Sequence, residues 1–313
     1  MSPDSPRISV IVPAYNVEAW VGPALDSVFA QTRPPHEVII VNDGSTDATA
    51  ERIAGYATRA GVTVVTTENQ GLGPARNEGL RRATGEYVYF FDSDDLMRCN
   101  LLATVAATIE ETGRPDVLLF SGRSFVDGYP ERTVADNFRR PFAASGISGA
   151  EAVARLVKAG TPAPCAWLYV SRRSLWSGSN AGFKNIYHED NERFLPLLMA
   201  APRVTIIQDV LYERRTRDGS ISQSRKTGKH AQGLLVSSTT LANLYQSSRK
   251  CSPATRNPIK KRAIRTAQRY MRVCRRAKVR QDTRQLIRCA VTLRSVSLWL
   301  GAVGSAMLSF VRI

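Results

Sequence analysis

Glu86-Tyr87-Val88-Tyr89-Phe90-Phe91-Asp92-Ser93-Asp94-Asp95 sets an unbroken aromatic and aliphatic run directly against three carboxylates. The run lacks the apolar–polar alternation of a half-exposed strand, so it reads as a strand buried on both faces. Toward the start of the chain, Ile8-Ser9-Val10-Ile11-Val12 is stopped by Pro13, and Val38-Ile39-Ile40-Val41 by Asn42-Asp43-Gly44-Ser45. A further strand is expected over Val62 to Thr66, with helical spacing at 17–31, 49–60 and 74–82. Strands alternating with helices of this length predict an α/β fold, a Rossmann-like, mostly parallel sheet covered by helices on both faces. In such sheets ligands bind beyond the carboxyl ends of the strands. Asn16, Asp43, Glu68-Asn69 and Asp92 to Asp95 all fall there.

Beyond the quoted stretch, helices are expected at 101–111, 149–159 and 191–199, and strands at 116–121 and 204–207. Residues 125–145 read as irregular, and 166–170 as a strand at the sheet edge. No internal repeat is present. The net charge of +16 divides unevenly. From Arg225 onward there are 20 Lys and Arg against one acid, Asp282, while residues 1–224 hold 23 basic and 26 acidic side chains. The expected organisation is therefore a catalytic domain over 7–224 and a basic helical region over 225–313. Five scattered cysteines without metal-ligand spacing fit reduced, small buried side chains better than a disulfide framework. The polar start and brief apolar run at 8–12 do not make a cleaved signal.

Three carboxylates within four residues repel one another and call for compensation. A divalent cation, Mn²⁺ or Mg²⁺, shared between carboxylate and diphosphate supplies it. The alternative is an acidic turn capping the helix near Leu101. The position at the end of a buried strand favours the metal. Asp43 also follows a buried strand, where it is either an acceptor for a base N–H or an Asx turn; Asp47 reads as a helix cap.

Val12-Pro13-Ala14-Tyr15-Asn16, Val41-Asn42-Asp43-Gly44-Ser45-Thr46-Asp47, Asn69-Gln70-Gly71 with Ala75-Arg76-Asn77, and Phe91-Asp92-Ser93-Asp94-Asp95 occur in one order at compatible spacings. Together they resemble the inverting glycosyltransferase family 2, over roughly residues 7–220. The resemblance implies the GT-A fold and sugar transfer from a nucleotide diphosphate, with UDP-sugar the expected donor. Pro13, Tyr15 and Asp43 would line the nucleobase and ribose pocket, and Arg76 would approach base or diphosphate. Asp92 would hold ribose or metal, and Asp94 would be the main metal ligand. An ion pair of Arg76 with Glu78 or Asp43 is the plainer alternative.

Inversion needs one carboxylate on the acceptor side to take the hydroxyl proton. Similar enzymes carry a Glu-Asp pair at the place of His188-Glu189-Asp190, so Asp190 is the expected base and Glu189 its orienting neighbour. Asp190 as a helix cap is compatible with that role. Arg215 and Ser220 are the expected diphosphate contacts, with the choice among Arg214, Arg215 and Arg217 open. Trp167 and Tyr169 read as core rather than a sugar-stacking wall.

In the tail, Ile259, Ala263, Ala267, Tyr270, Cys274 and Ala277 recur at helical intervals among many Arg and Lys. Residues 295–311 carry no charge and include Trp299. At this length, diluted by serine and glycine, the segment reads as an interfacial helix on anionic lipid rather than a span. The expected setting is a cytoplasmic protein, peripheral at the inner face of the plasma membrane, building cell-surface polysaccharide. Partners would be a nucleotide sugar, a glycan, polyol-phosphate or lipid-linked acceptor and the membrane, with no nucleic acid; a homo-oligomer stays open. Metal-dependent nucleotidyl transfer, or nucleic-acid binding on an inactive scaffold, are the competing functions.

Overall fold

The computed structural model describes residues 5–135, 138–160, 163–178, 181–217 and 227–310. They fall into two compact units. The first joins 1–149, 163–185 and 200–220. It opens with β1 (Ile8–Ala14), α1 (Val21–Phe29), β2 (Glu37–Asn42), α2 (Thr49–Ala54), β3 (Val62–Thr66), α3 (Leu72–Arg82) and β4 (Tyr87–Phe90). β5 (Leu96–Met97), α4 (Leu101–Glu111), β6 (Val117–Val126), β7 (Tyr129–Val134), β8 (Ala144–Ile147), β9 (Tyr169–Arg172) and β10 (Val204–Thr216) complete it.

One sheet runs β3-β2-β1-β4-β9-β6-β10-β5, with β7 on β6 and β8 on β10. The first four strands are parallel, in the register Ala14↔Asn42 and Asn42↔Thr66. Their carboxyl ends therefore share one rim. β9 then runs antiparallel to both β4 and β6. Its place inside the sheet corrects the expectation of an edge strand at 166–170. The pairing residues are Tyr169 to Ser171, all buried, so no polar face marked their position. β10 is also longer than expected, because two register shifts carry it past Gln208 and Asp209. The wholly buried Arg140 secures this half, donating Nε to Phe120 O (2.9 Å) and Nη2 to Leu168 O (3.1 Å). Burial pushes its pKa down to about 10, so it stays charged at neutral pH.

The core gathers Val10, Val12 and Ile40 with Tyr89, Phe91 and Leu118, and takes in Leu25 and Val28 of α1 and Leu102 and Val105 of α4. Such side chains contribute roughly 1.5–3 kcal/mol each when fully buried. Trp167 belongs here too, stacked on Tyr212 with ring centroids 4.2 Å apart.

The second unit joins 150–162, 186–199 and 221–313. Its helices are α5 (Gly149–Lys158), α6 (Glu189–Ala200), α7 (Gly228–Ser247), α8 (Pro253–Ala277), α9 (Thr283–Thr292) and α10 (Val296–Phe310). Ile259, Ala263, Ala267, Tyr270 and Cys274 form the buried stripe of α8, as their spacing predicts. Gly233 of α7 lies so close to the Tyr187 carbonyl that a Cβ would collide with it. Of the five free cysteines, Cys274 and Cys289 are buried and Cys99 is exposed.

Candidate active site

At the carboxyl end of β1, Pro13 is buried and Tyr15 is 46% exposed. Asn16 takes a left-handed φ of 50°, which asparagine tolerates better than most residues. Its Oδ1 accepts the Thr46 N–H (2.9 Å), and its own N–H donates to Ser45 Oγ (3.2 Å). The loops after β1 and β2 are thereby latched together. Asp47 behaves as a helix-start residue, with Oδ1 accepting the Thr49 N–H at 3.0 Å.

Asp43 is buried, and both its oxygens are engaged. Oδ1 accepts the Gln70 N–H (2.9 Å) and Oδ2 the Gly71 N–H (2.8 Å). Gly71, at φ 97°, turns the chain into α3, so the carboxylate stands at the positive end of that helix. The Asn69-Gln70-Gly71 motif is thus tied to the Asp43 motif by backbone donors.

α3 packs unusually closely. A Cβ on Gly73 would meet the Lys184 carbonyl, and one on Gly79 the Ile11 side chain. Between them Arg76 is only 2% exposed, with Nη2 at 2.7 Å from Asp92 Oδ1 and its guanidinium 5.2 Å from the Phe183 ring centre. Asn77 brackets Phe183, donating Nδ2 to its carbonyl and accepting its N–H, both at 2.8 Å. Arg76 therefore pairs with Asp92, rather than with Glu78 or Asp43. Glu78 is taken by Arg81 and Arg82.

Asp94 and Asp95 face different partners. Asp95 is buried, accepting Tyr212 Oη–H (2.5 Å) and the Arg215 N–H (2.6 Å). Burial, then the charges of Asp94 and Asp92, push its carboxyl well above the ordinary range, despite those two bonds. Asp94 is partly open, and its Oδ2 accepts Nε (3.0 Å) and Nη2 (2.8 Å) of Arg217. Desolvation and the Asp92 charge raise its pKa, with Arg217 opposing them. Asp92, Asp94, Asp95 and Asp127 thus set four carboxyl groups against the guanidinium groups of Arg76, Arg215 and Arg217.

The far wall comes from residues the sequence gave little reason to group. Arg217 stacks on Trp20, 3.9 Å from the ring centre, and Trp20 Nε1 donates to Asp127 Oδ2 (3.0 Å). Arg215 Nη1 meets Asp127 Oδ1 (2.6 Å), while its Nε donates to the Asp94 carbonyl (2.8 Å). Trp20 read as a helix-face residue and Asp127 fell in a stretch read as irregular. Only the Arg-rich run at 214–217 signalled this wall. Ser220 lies outside the described residues.

In the second unit, Glu189 and Asp190 are the first two residues of α6, and Glu189 is buried. Asp190 Oδ1 accepts the Asn191 N–H (2.7 Å) and Nδ2–H (3.1 Å). Arg262 interacts with Asp190 electrostatically and donates Nη2 to Asn191 Oδ1 (3.2 Å). Among the described residues, no three His, Cys, Asp or Glu side chains converge as a ready-made metal site.

The four motifs meet at one strand rim, which carries the latched loops, the buried Arg76–Asp92 pair and the acidic cluster. The profile of glycosyl transferase family 2 fits residues 9–169. The chain belongs to glycosyl transferase family 2. Among its relatives, glycosyltransferase GlyA of Streptococcus pneumoniae is 42% identical over 106 residues, 34% of this chain and 15% of that protein. The uncharacterized glycosyltransferase EpsJ of Bacillus subtilis is 29% identical over 228 residues, 70% of this chain and 63% of that one. The chain thus spans less than two thirds of either relative. The solved structure of S. aureus TarS residues 1–349 with UDP-GlcNAc superposes with a TM-score of 0.65 at 21% identity, covering 97% of this chain and 92% of that one. That likeness places this family 2 chain in the GT-A fold.

Proposed function

We propose that the chain transfers a hexosyl or N-acetylhexosaminyl group, with inversion, from a UDP-sugar to an acceptor hydroxyl in cell-surface polysaccharide synthesis. The acceptor is a glycan, a polyol-phosphate or a lipid-linked sugar. The observation that carries this reading is the acidic cluster at the carboxyl end of β4, beside the latched loops of β1 and β2. Family membership favours sugar transfer over nucleotidyl transfer or nucleic-acid binding.

Pro13, Tyr15 and Asp43 form the base and ribose pocket. Asp43 acts mainly by fixing the loop at Gln70 and Gly71; its Oδ1 also accepts the Thr67 hydroxyl (3.3 Å), and its Oδ2 keeps a second lone pair. Arg76 holds Asp92 in place from within the core. Family 2 enzymes with the GT-A fold typically use a divalent metal. The donors here fit one: hard carboxylate oxygens, two of them with pKa values raised by burial and then by the neighbouring carboxylate charges. Asp94 and Asp92 would hold Mn²⁺ or Mg²⁺ jointly with the diphosphate, and the ion would neutralise the leaving group's charge. Arg217, on Trp20, and Arg215, on Asp127, supply guanidinium groups of the kind that suits phosphate oxygens, with Ser220 beyond them. Asp190 takes the acceptor hydroxyl proton as that oxygen bonds the anomeric carbon, Glu189 orients it, and the bond to the diphosphate breaks. The direct test is a thermal-shift screen of nucleotide sugars with Mn²⁺, followed by product analysis. UDP-sugars should stabilise the protein and release UDP; release of pyrophosphate, or no stabilisation by any nucleotide sugar, overturns the reading.

A second reading concerns the setting. Among the described residues no helix is long and apolar enough to cross a membrane. Val296, Trp299 and Leu300 of α10 are nonetheless 72%, 46% and 59% exposed, with the exposed Arg284 and Arg288 on α9. That combination favours attachment to an anionic membrane surface. The protein should co-sediment with phosphatidylglycerol vesicles at low salt and less at high salt. Trp299→Glu should weaken that binding about tenfold or more, the scale of losing one large interfacial apolar contact. Equal sedimentation with neutral vesicles, or by the variant, removes the membrane from the account.

A further inference from the structure

A basic cluster in the second unit starts at Arg262, beside Asp190, and runs on along α8. α8 carries Arg262, Arg265, Arg269, Arg272 and Arg276 at alternating spacings of three and four, which sets five guanidinium groups along one face. Arg269, Arg272 and Arg276 line a cavity of about 190 Å³ together with His188 and His230. Leu234 and Val273 supply its apolar wall, and none of the lining residues is acidic. Like charges at these spacings repel, and the strain is visible at Arg262. Burial first, then the charges of Arg269 and Arg265, lowers its pKa.

His230 closes the capping box at the start of α7, and His188 stands beside it, with ring centroids 5.6 Å apart. His188 takes a left-handed φ of 62°, a conformation that costs free energy outside glycine and gathers at functional sites. His230 Nδ1 accepts the Thr227 N–H (3.1 Å), which leaves the proton of the neutral ring on Nε2 as a donor. Two residues past His188 comes Asp190, at the start of α6. At ~30 Å³ per water the cavity has room for about six waters, or for one tetrahedral anion with part of its ester arms.

We propose that this cavity binds a phosphate group of the acceptor, a phosphomonoester or phosphodiester attached to the sugar or polyol whose hydroxyl Asp190 deprotonates. Guanidinium forks match phosphate oxygens, the two histidine rings border the same cavity, and Leu234 and Val273 suit the carbon skeleton of the ester. The inference deepens the reading of Asp190 as the acceptor-side base and rests on it.

The test uses the full chain with saturating UDP, so that the donor pocket is closed to the probes. Inorganic phosphate and a glycerol-phosphate oligomer are titrated calorimetrically into wild type, into Arg272→Gln/Arg276→Gln, and into Arg249→Gln on the turn after α7. All three arginines are exposed, and Arg269→Gln/Arg272→Gln provides a second pair should the first fail to fold. The oligomer should bind wild type and Arg249→Gln alike, and each paired variant at least about tenfold more weakly, the scale of losing charge-assisted hydrogen bonds. Equal affinity throughout overturns the proposal. So do paired variants that lose binding to phosphatidylglycerol vesicles but keep the oligomer, because the site is then one for a lipid headgroup. A wild type that binds UDP but no phosphate probe defeats this inference alone, and the donor reading stands. Oligomer binding that behaves as expected, while Asp190→Asn transfers sugar normally, defeats only the assignment of the base.

Discussion

Asp190→Asn should transfer sugar at least about a hundredfold more slowly than wild type, the usual scale for losing a positioned proton transfer. Its affinity for UDP should stay close to wild type. Asp190 Oδ1 accepts the Asn191 N–H, a bond within the first turn of α6 that an asparagine oxygen can also accept. The fold should therefore tolerate the exchange. What disappears is the negative charge that the helix N-terminus and the Arg262 guanidinium favour at this spot. A carboxylate retained there, rather than a neutral cap, is what proton abstraction requires. Because the lost interaction belongs to the transition state, turnover should fall without a matching loss of donor affinity. Transfer rate and UDP affinity are measured on one preparation, with Glu189→Gln beside it. If Asp190→Asn works at nearly the wild-type rate while Glu189→Gln is dead, the base is the other carboxylate.

Three of the four parallel strands, β1, β2 and β4, were legible because they are short, buried on both faces and followed by the polar Asn16, Asp43 and Asp92, although β1 runs on through Pro13 to Ala14. Such strands announce themselves as apolar runs, and the polar residues that stop them mark the ligand-binding rim. The later half was harder. β9 pairs through three buried residues after the apolar Ala166-Trp167-Leu168 turn, so nothing separated strand from turn. β10 hides its length because Gln208 and Asp209 interrupt the apolar run where the register shifts. At the site, carboxylates were visible as letters but their partners were not. Arg76 could be placed on α3, yet its choice of Asp92 depends on how closely Gly73 and Gly79 let that helix approach. The Trp20–Arg217–Asp94 and Asp127–Arg215 contacts join residues far apart in the chain through side-chain geometry alone. Periodicity carries no record of such pairings.

Asp94→Asn should abolish the dependence of UDP binding on Mn²⁺. For wild type, Mn²⁺ should tighten UDP by about tenfold or more over a chelated sample, and for the variant the two conditions should agree, a difference on the scale of altered metal-site groups. Of the three clustered carboxylates, Asp94 is the informative one to change. Removing Asp92 would take a carboxylate away from the buried Arg76, and breaking a buried pair from one side costs about 3–5 kcal/mol. Removing Asp95 would leave the Tyr212 hydroxyl and the Arg215 N–H without their acceptor. Asp94 is more open, its side-chain partner Arg217 rests on Trp20, and Asn keeps an oxygen facing that guanidinium. A neutral side chain also relieves the repulsion from Asp92 that raises the Asp94 pKa, so the variant should fold at least as well as wild type. The second measurement is therefore thermal. Mn²⁺ with UDP should raise the Tm of wild type beyond the effect of UDP alone, while the variant responds to UDP only. Equal UDP affinity and equal Tm gains in both proteins, with metal and with chelator, would show that Asp94 holds no metal and that the acidic cluster serves Arg217 and the β10 strand instead.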